Sequence, residues 1–288
     1  MNGQLCLSAT MFPPEIFSEI FSFLTSEARV LVACSQAHPI FAQLVEPILY
    51  AHVIVHYGAD PDSDEHHLKF KPHQLSTLLS DKPRILNYLR SLYVDLSQVY
   101  SHEFMNEIAT AILPGLKLKR IQLTFVPNDP DNVANWIYFP IAFRTAFVAC
   151  ISTSCMREIC LDGVSHIPLC SFADCTGLKR LTLCQNAVPP SNKSSNFPQL
   201  EALELSDWTM DGSHNHGFFS WVLTHASGLC SLTLRTPRKK VIHRFLPHLL
   251  AICSTSLVDL GIYYLDPRKL IYLITWIVLT PLYSTSGV

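Results

Sequence analysis

The feature that most constrains this chain is a hexamer that keeps returning. Leu-x-x-Leu-x-Leu, with other aliphatic residues allowed, occurs as LRSLYV at Leu89, LKRIQL at Leu118, MREICL at Met156 and LKRLTL at Leu178. It returns as LEALEL at Leu200, LCSLTL at Leu229 and LVDLGI at Leu257. The starts lie 29, 38, 22, 22, 29 and 28 residues apart, and self-similarity at such a period marks stacked supersecondary units. Any amphipathic strand yields one such hexamer, whereas a quasi-regular series predicts strand–loop–helix units that bury their leucines only against their neighbours. Several gaps supply the helix: SHEFMNEIATAIL, PIAFRTAFVACIS, HGFFSWVLTHAS and VIHRFLPHLLAICS.

Strands stacked in this way form a parallel sheet on the inner, concave side. Side chains between the leucines point out of it by the strand period of two. The residues expected on that face as contacts for a client protein are Tyr93, Arg120, Gln122, Glu158, Asp162, Arg180, Glu204, Arg235, Asp259 and Tyr263. Thr124, Cys160 and Gly261 fall in the same outward series. The face carries both signs of charge, which suits a protein partner better than a single polyanion.

The front end differs. MFPPEIFSEIFSFL, Met11 to Leu24, places Ile16, Phe17, Ile20, Phe21, Phe23 and Leu24 on a short segment, covering well over a third of a helix circumference. Pro13 and Pro14 suit a first helical turn, where the missing N–H costs nothing. EARVLVACSQA and PIFAQLVEPILYA read as two further helices, the last kinked or ended by Pro47. The expected division is a helical module over 11–52, a linking segment over 53–88 with a polar loop from Tyr57 to Pro72, and the repeats over 89–288.

Composition narrows the function. With 23 acidic and 21 basic residues the formal charge is −2, so no global field favours nucleic acid or an anionic membrane. Charged residues make up 15% of the chain against about a quarter in ordinary domains, as expected of a protein that lives bound to another. MNGQLCLSAT lacks the basic and long apolar regions of a secretory signal. The 10 cysteines are therefore expected as reduced thiols in the cytoplasm or nucleus, and Asn192-Lys193-Ser194 is set aside as a glycosylation acceptor. The apolar segment LIYLITWIVLTPLY, Leu270 to Tyr283, is shorter than the roughly 20 residues of a membrane helix. A closing helix and strand, an irregular exposed end and a short anchor all remain open for it.

No motif for bond chemistry stands out. Cys155-x4-Cys160 and Cys170-x4-Cys175 have zinc-like spacers, but Cys160 lies inside a repeat strand, and small thiols commonly fill apolar niches. DGSHNH offers Asp211, His214 and His216, which a solvated loop explains equally well. RTPRKK, Arg235 to Lys240, reads as a solvated basic loop. Nucleophile elbows, phosphate loops and dinucleotide turns are missing. Neither enzyme activity nor a metal or other cofactor is expected.

FPPEIFSEIFSFL followed by ARVLVACSQAHPIFAQLVEPILYAHVIV resembles an F-box, the three-helix module of ubiquitin-ligase substrate receptors. LLSDKPRILNYLRSLYVDL resembles the segment joining F-box to repeats in fungal members, and the hexamers resemble divergent leucine-rich repeats. The resemblance implies an α/β chain: an N-terminal three-helix F-box-like module followed by a leucine-rich-repeat-like solenoid with parallel strands on the concave face. It further implies a Skp-type adaptor, and through it a cullin, bound through Pro13, Ile16, Ile20, Leu24, Leu31 and Cys34 as mixed adaptor-contact and core positions. The chain would then be the client-recognition subunit of a cullin–RING ubiquitin ligase. The alternative is a plain interaction scaffold whose first helices cap the repeats.

Overall fold

The computed structural model describes residues 13–57, 67–96, 101–125, 134–184, 197–206, 222, 224–236, 239–253, 255–264 and 275–278. Helices α1 (Pro14–Ser22), α2 (Ala28–Ala37) and α3 (Pro39–Leu49) come first, followed by strands β1 (His52–His56) and β2 (Leu68–Phe70). Helix α4 (Pro72–Asp81) and a 3-10 turn at Pro83–Asn87 lead into β3 (Ser91–Asp95). Helix α5 (His102–Glu107) widens into a π turn at Ile108–Ile112 before β4 (Arg120–Thr124). Next come β5 (Ala134–Asn135), α6 (Ile141–Ile151), β6 (Glu158–Asp162), β7 (Val164–Ser165), β8 (Arg180–Cys184) and β9 (Ala202–Ser206). The last are β10 (Ser231–Thr236), α7 (Lys239–Cys253), β11 (Asp259–Tyr264) and β12 (Thr275–Val278).

The protein is α/β, built on one open sheet of 10 strands in the order β2–β1–β3–β4–β6–β8–β9–β10–β11–β12. Neighbours from β2 to β11 are parallel, and β12 joins β11 antiparallel. Each hexamer supplies one strand, and the register locks like to like: Leu92, Ile121, Ile159, Leu181, Leu203, Leu232 and Leu260 lie side by side. The apolar positions of the hexamers are no more than 4% exposed from Leu89 to Leu260. They form one core with the helical side, where Trp136, Phe139, Phe143 and Phe147 stack with ring centroids 5.4–6.5 Å apart.

The backbone repeats as well. The Arg90 carbonyl accepts from the Lys119 N–H at 2.7 Å and the Arg120 N–H at 3.0 Å. Carbonyls of Lys119, Arg157, Lys179, Glu201 and Cys230 make the same fork to the next unit at 2.8–3.0 Å. Satisfying two donors with one carbonyl at every step leaves no orphan N–H where each strand enters the sheet.

The fork starts one unit earlier than the hexamer series does. The Ala51 carbonyl accepts from Arg90 and Ser91 at 2.9 Å, so YAHVIV, Tyr50 to Val55, is a further unit with Tyr50 in the first leucine position. The described residues of 53–88, expected as a linking segment, pack into the main body: Val53, Val55, Leu75, Leu79 and Ile85 lie in its core. Within the stretch expected as a polar loop, Leu68–Phe70 pairs with β1 as an edge strand. Its brevity and its central Lys69 blunt that edge against further pairing.

Helices α1–α3 hold a second core of Phe21, Ala28, Leu31, Val45 and Leu49. Pro47 does not end α3, which runs on to Leu49. Tyr50 packs against both cores, and burial, then the Glu46 carboxylate, push its phenol above the ordinary value. Glu46 is itself buried and bonded by Arg84 Nη2 at 2.8 Å, with Lys82 Nζ at 3.8 Å. That pairing ties α3 to the turn before β3.

Among the described residues no helix is long and apolar enough to cross a membrane. Of the apolar segment 270–283, only β12 lies within the described residues.

Two glycines test the backbone geometry. Gly115 and Gly163 both have positive φ, +78° and +69°, but a Cβ on Gly115 meets nothing, whereas one on Gly163 runs into the Phe125 carbonyl. Gly115→Ala is expected to cost about 1–2 kcal/mol, from left-handed strain alone. Gly163→Ala is expected to cost about 3 kcal/mol or more, because strain and clash combine. Urea unfolding of the two variants checks the order; equal losses would refute it.

Candidate functional site

Two surfaces stand out, one on the helices and one on the sheet. On α1 the helical period separates two apolar stripes. Phe17 and Phe21 turn inward, with rings 4.8 and 5.7 Å from Phe41 of α3. Ile16, Ile20 and Phe23, spaced i, i+4 and i+7, form the other stripe and are 43%, 48% and 78% exposed. The inner stripe completes the core of the helices, and the outer one has nothing of this chain over it among the described residues. Val30 and Ile40 are also exposed.

Six residues were expected here as partner-contact or core positions, and the structure divides them. Pro13, Ile16 and Ile20 are exposed. Leu24 and Cys34 are half-buried against the helical core. Leu31, 1% exposed, is a centre of that core, so of the mixed contact and core positions expected here it is a core one, in one cluster with Val45 and Leu49. Phe23, at helical spacing from Ile16 and Ile20, is exposed beside them.

On the sheet, the strand period puts all ten expected contact residues on the face opposite the leucines. Register then sorts them into rows. Arg120, Glu158 and Arg180 are cross-strand neighbours of alternating charge, and Arg120 Nε lies 3.4 Å from Glu158 Oε1. Arg120 also donates to Gln122, which donates to Thr124, each at 3.2 Å. Farther along, Arg235 Nε reaches Glu204 Oε1 at 2.8 Å, and its guanidinium lies over the Tyr263 ring, 5.2 Å from the centroid. Asp259 accepts from the Ser231 hydroxyl at 3.1 Å. Burial first, then the charges of Asp95 and Asp162, push the Tyr93 phenol above its ordinary value.

Three short positions expected to be open on this face are covered. Thr124, Cys160 and Gly261 are buried, because strands about 4.8 Å apart let long neighbours close over short ones. Four residues of this face were not anticipated: His52 and His56 on β1, Lys69 on β2, and His67 just before it. Tyr50 in a leucine position hid the unit that carries the first two.

Burial governs the thiols. It pushes Cys150, Cys160 and Cys175 up to about 12 and Cys253 up to about 11, disfavouring the thiolate that a metal or an electrophile requires. Among the described residues no three His, Cys, Asp or Glu side chains are grouped to hold a metal ion. Asp211, His214 and His216 lie outside the described residues, as does the Cys184 side chain. Of the basic run, Arg235 and Thr236 end β10 and Lys239 and Lys240 begin α7, with 237–238 outside the description.

No protein-family model matches the chain, and no curated protein matches it.

The thiols supply a direct check on burial. In the native protein, iodoacetamide at pH 8 is expected to modify exposed Cys170 and Cys230 while leaving Cys150, Cys160, Cys175 and Cys253 intact until denaturant is added. Peptide mapping by mass spectrometry reads the pattern, and rapid native labelling of Cys150 or Cys175 would contradict it.

Proposed function

We propose that this chain is a non-catalytic receptor subunit of a cullin–RING ubiquitin ligase. On this reading α1–α3 are an F-box-like module that docks a Skp-type adaptor and, through it, a cullin. The strand–helix units are a leucine-rich-repeat-like solenoid whose sheet face holds a protein client. The chain makes and breaks no bonds; it raises the effective concentration of client lysines near a ligase arm supplied by others.

The outer stripe of α1 carries the proposal. A short helical module that has already filled its own core with Phe17, Phe21 and Leu31 keeps Ile16, Ile20 and Phe23 outside. Covering each with a partner is worth about 1.5–3 kcal/mol at full burial, enough together to anchor a specific complex. The sheet face supports the second half of the reading. Its charges are largely matched within the chain, as in the Arg120–Glu158 and Arg235–Glu204 pairs, so it presents no net field for a polyanion. Such exposed pairs are worth about 0.2–1 kcal/mol each and can be redirected to a client at little cost.

Co-expression with a Skp-type adaptor tests the first half. Wild type is expected to retain the adaptor through purification. Ile16→Asp combined with Ile20→Asp is expected to weaken capture by about a hundredfold or more with an unchanged circular dichroism spectrum, since both side chains already meet solvent. Leu31→Ala is a contrasting variant expected to lose about 2–5 kcal/mol of stability. A folded wild type that captures no adaptor, or a double variant that captures as well as wild type, leaves a plain interaction scaffold as the function.

A further inference from the structure

The sheet face is not uniform from end to end. Where β1 to β4 meet, it sinks into a cavity of about 430 Å³, within the roughly 300–1,000 Å³ range of ligand sites. Nitrogen groups from β1, β2 and β4 and from the residue before β2 line it: His52, His56, His67, Lys69 and Arg120. Asp95, the cross-strand neighbour of His56, is the one carboxylate in the lining. His56 is 6% exposed, and its Nδ1 has no hydrogen-bond partner among the described residues. Lys69 makes no ion pair among the described residues. Arg120 is fixed by Glu158 and Gln122, which holds a positive charge at the rim without a rotamer search.

We propose that this cavity is an oxyanion-binding subsite, taking a phosphate or carboxylate group borne by a larger ligand. Three arguments converge. Lys69 and Arg120 bring positive charge and His52 and His67 bring ring nitrogens to one lining that holds a single carboxylate, Asp95, and charge-assisted donors of this kind bind an oxyanion strongly. Lys69 and Arg120 oppose a cation, which with the lack of a three-ligand cluster sets a metal aside. The volume also exceeds that of one oxyanion, leaving room for the group that carries it.

The electrostatics agree. Burial, then the positive charges of His67 and Arg120, hold the His52 imidazole below its ordinary value. An anion seated among these groups reverses the repulsion, so its binding and His52 protonation must strengthen one another by linkage. The inference rests on the sheet face being a binding surface and not on adaptor capture, so loss of the latter leaves it standing.

Histidine side-chain NMR of the full chain, titrated with inorganic phosphate against chloride at matched ionic strength, tests it. Phosphate is expected to give saturable shifts at His52 and His56 and to raise the His52 midpoint. Lys69→Gln, a half-buried edge position whose loss the fold tolerates, is expected to weaken binding roughly tenfold with the backbone spectrum otherwise unchanged. Acetate acting as well as phosphate assigns a carboxylate carrier, and a preference for phosphate assigns a phosphate ester. Tighter binding of a phosphoserine peptide than of inorganic phosphate assigns a chain-borne source; the reverse assigns a free one. No saturable shift, or a shift that Lys69→Gln leaves unchanged, overturns the proposal.

Discussion

Seven strands, β3, β4, β6 and β8–β11, enter the sheet through the same device: a carbonyl of the preceding unit accepts two consecutive N–H groups of the next. The device fixes register before any side chain is considered. Register in turn decides which residues can be buried, because a slip of one position would send every leucine to solvent and every charge to the core. Once Arg90 has aligned β4 on β3, Leu92 must meet Ile121, and the alignment propagates unit by unit to Leu260. The short β5 and β7 pair with one another in a separate two-stranded sheet, outside the repeated contact. Stability is then a sum over neighbours, and the ends of the stack are the natural weak points.

The N-terminal end is where that weakness meets the helical module. Ala51 provides the first fork, and Tyr50, the residue before it, caps α3 while packing into both cores. One aromatic ring thus does what a leucine does elsewhere in the series and also reaches the helices. Glu46, held by Arg84 and Lys82, adds a second tie. Capping the sheet and offering a docking stripe are therefore not rival roles for α1–α3. Phe21 and Leu31 build their core, Tyr50 joins it to the sheet, and Ile16, Ile20 and Phe23 remain for something else.

How much of this was legible in the sequence depended on whether a residue's neighbours in space were also its neighbours in pattern. The hexamers announced their strands because the leucine period is local, and β3, β4, β6 and β8–β11 follow from it. Val53 to Val55 read as a strand, but YAHVIV stayed hidden as a repeat unit because an aromatic residue stands where the pattern wants an aliphatic one, and Leu68–Phe70 stayed hidden because three residues carry no period. Leu31 stood in a mixed set of contact and core positions, since α2 alone does not say which of its faces meets α3. Cys160 and Thr124 looked open on their own strands and are closed by the strands beside them. The basic cavity shows the same limit. Its histidines and lysine come from the two strands the pattern missed, and only register brings them beside Arg120.

The low charge of the chain can now be placed. A stacked sheet of this kind exposes one row of side chains per strand, and here most charges on that row are answered by a neighbour of opposite sign. Arg120 with Glu158 and Arg235 with Glu204 neutralise one another, and the guanidinium of Arg235 also rests on Tyr263. The face therefore carries local pairs of opposite charge rather than a single net field. The exception lies at the β1–β4 end, where β2 has no further parallel strand among the described residues to supply an acid opposite Lys69. Among the described residues Lys69 therefore makes no ion pair, at the end of the sheet face where α3 passes into β1.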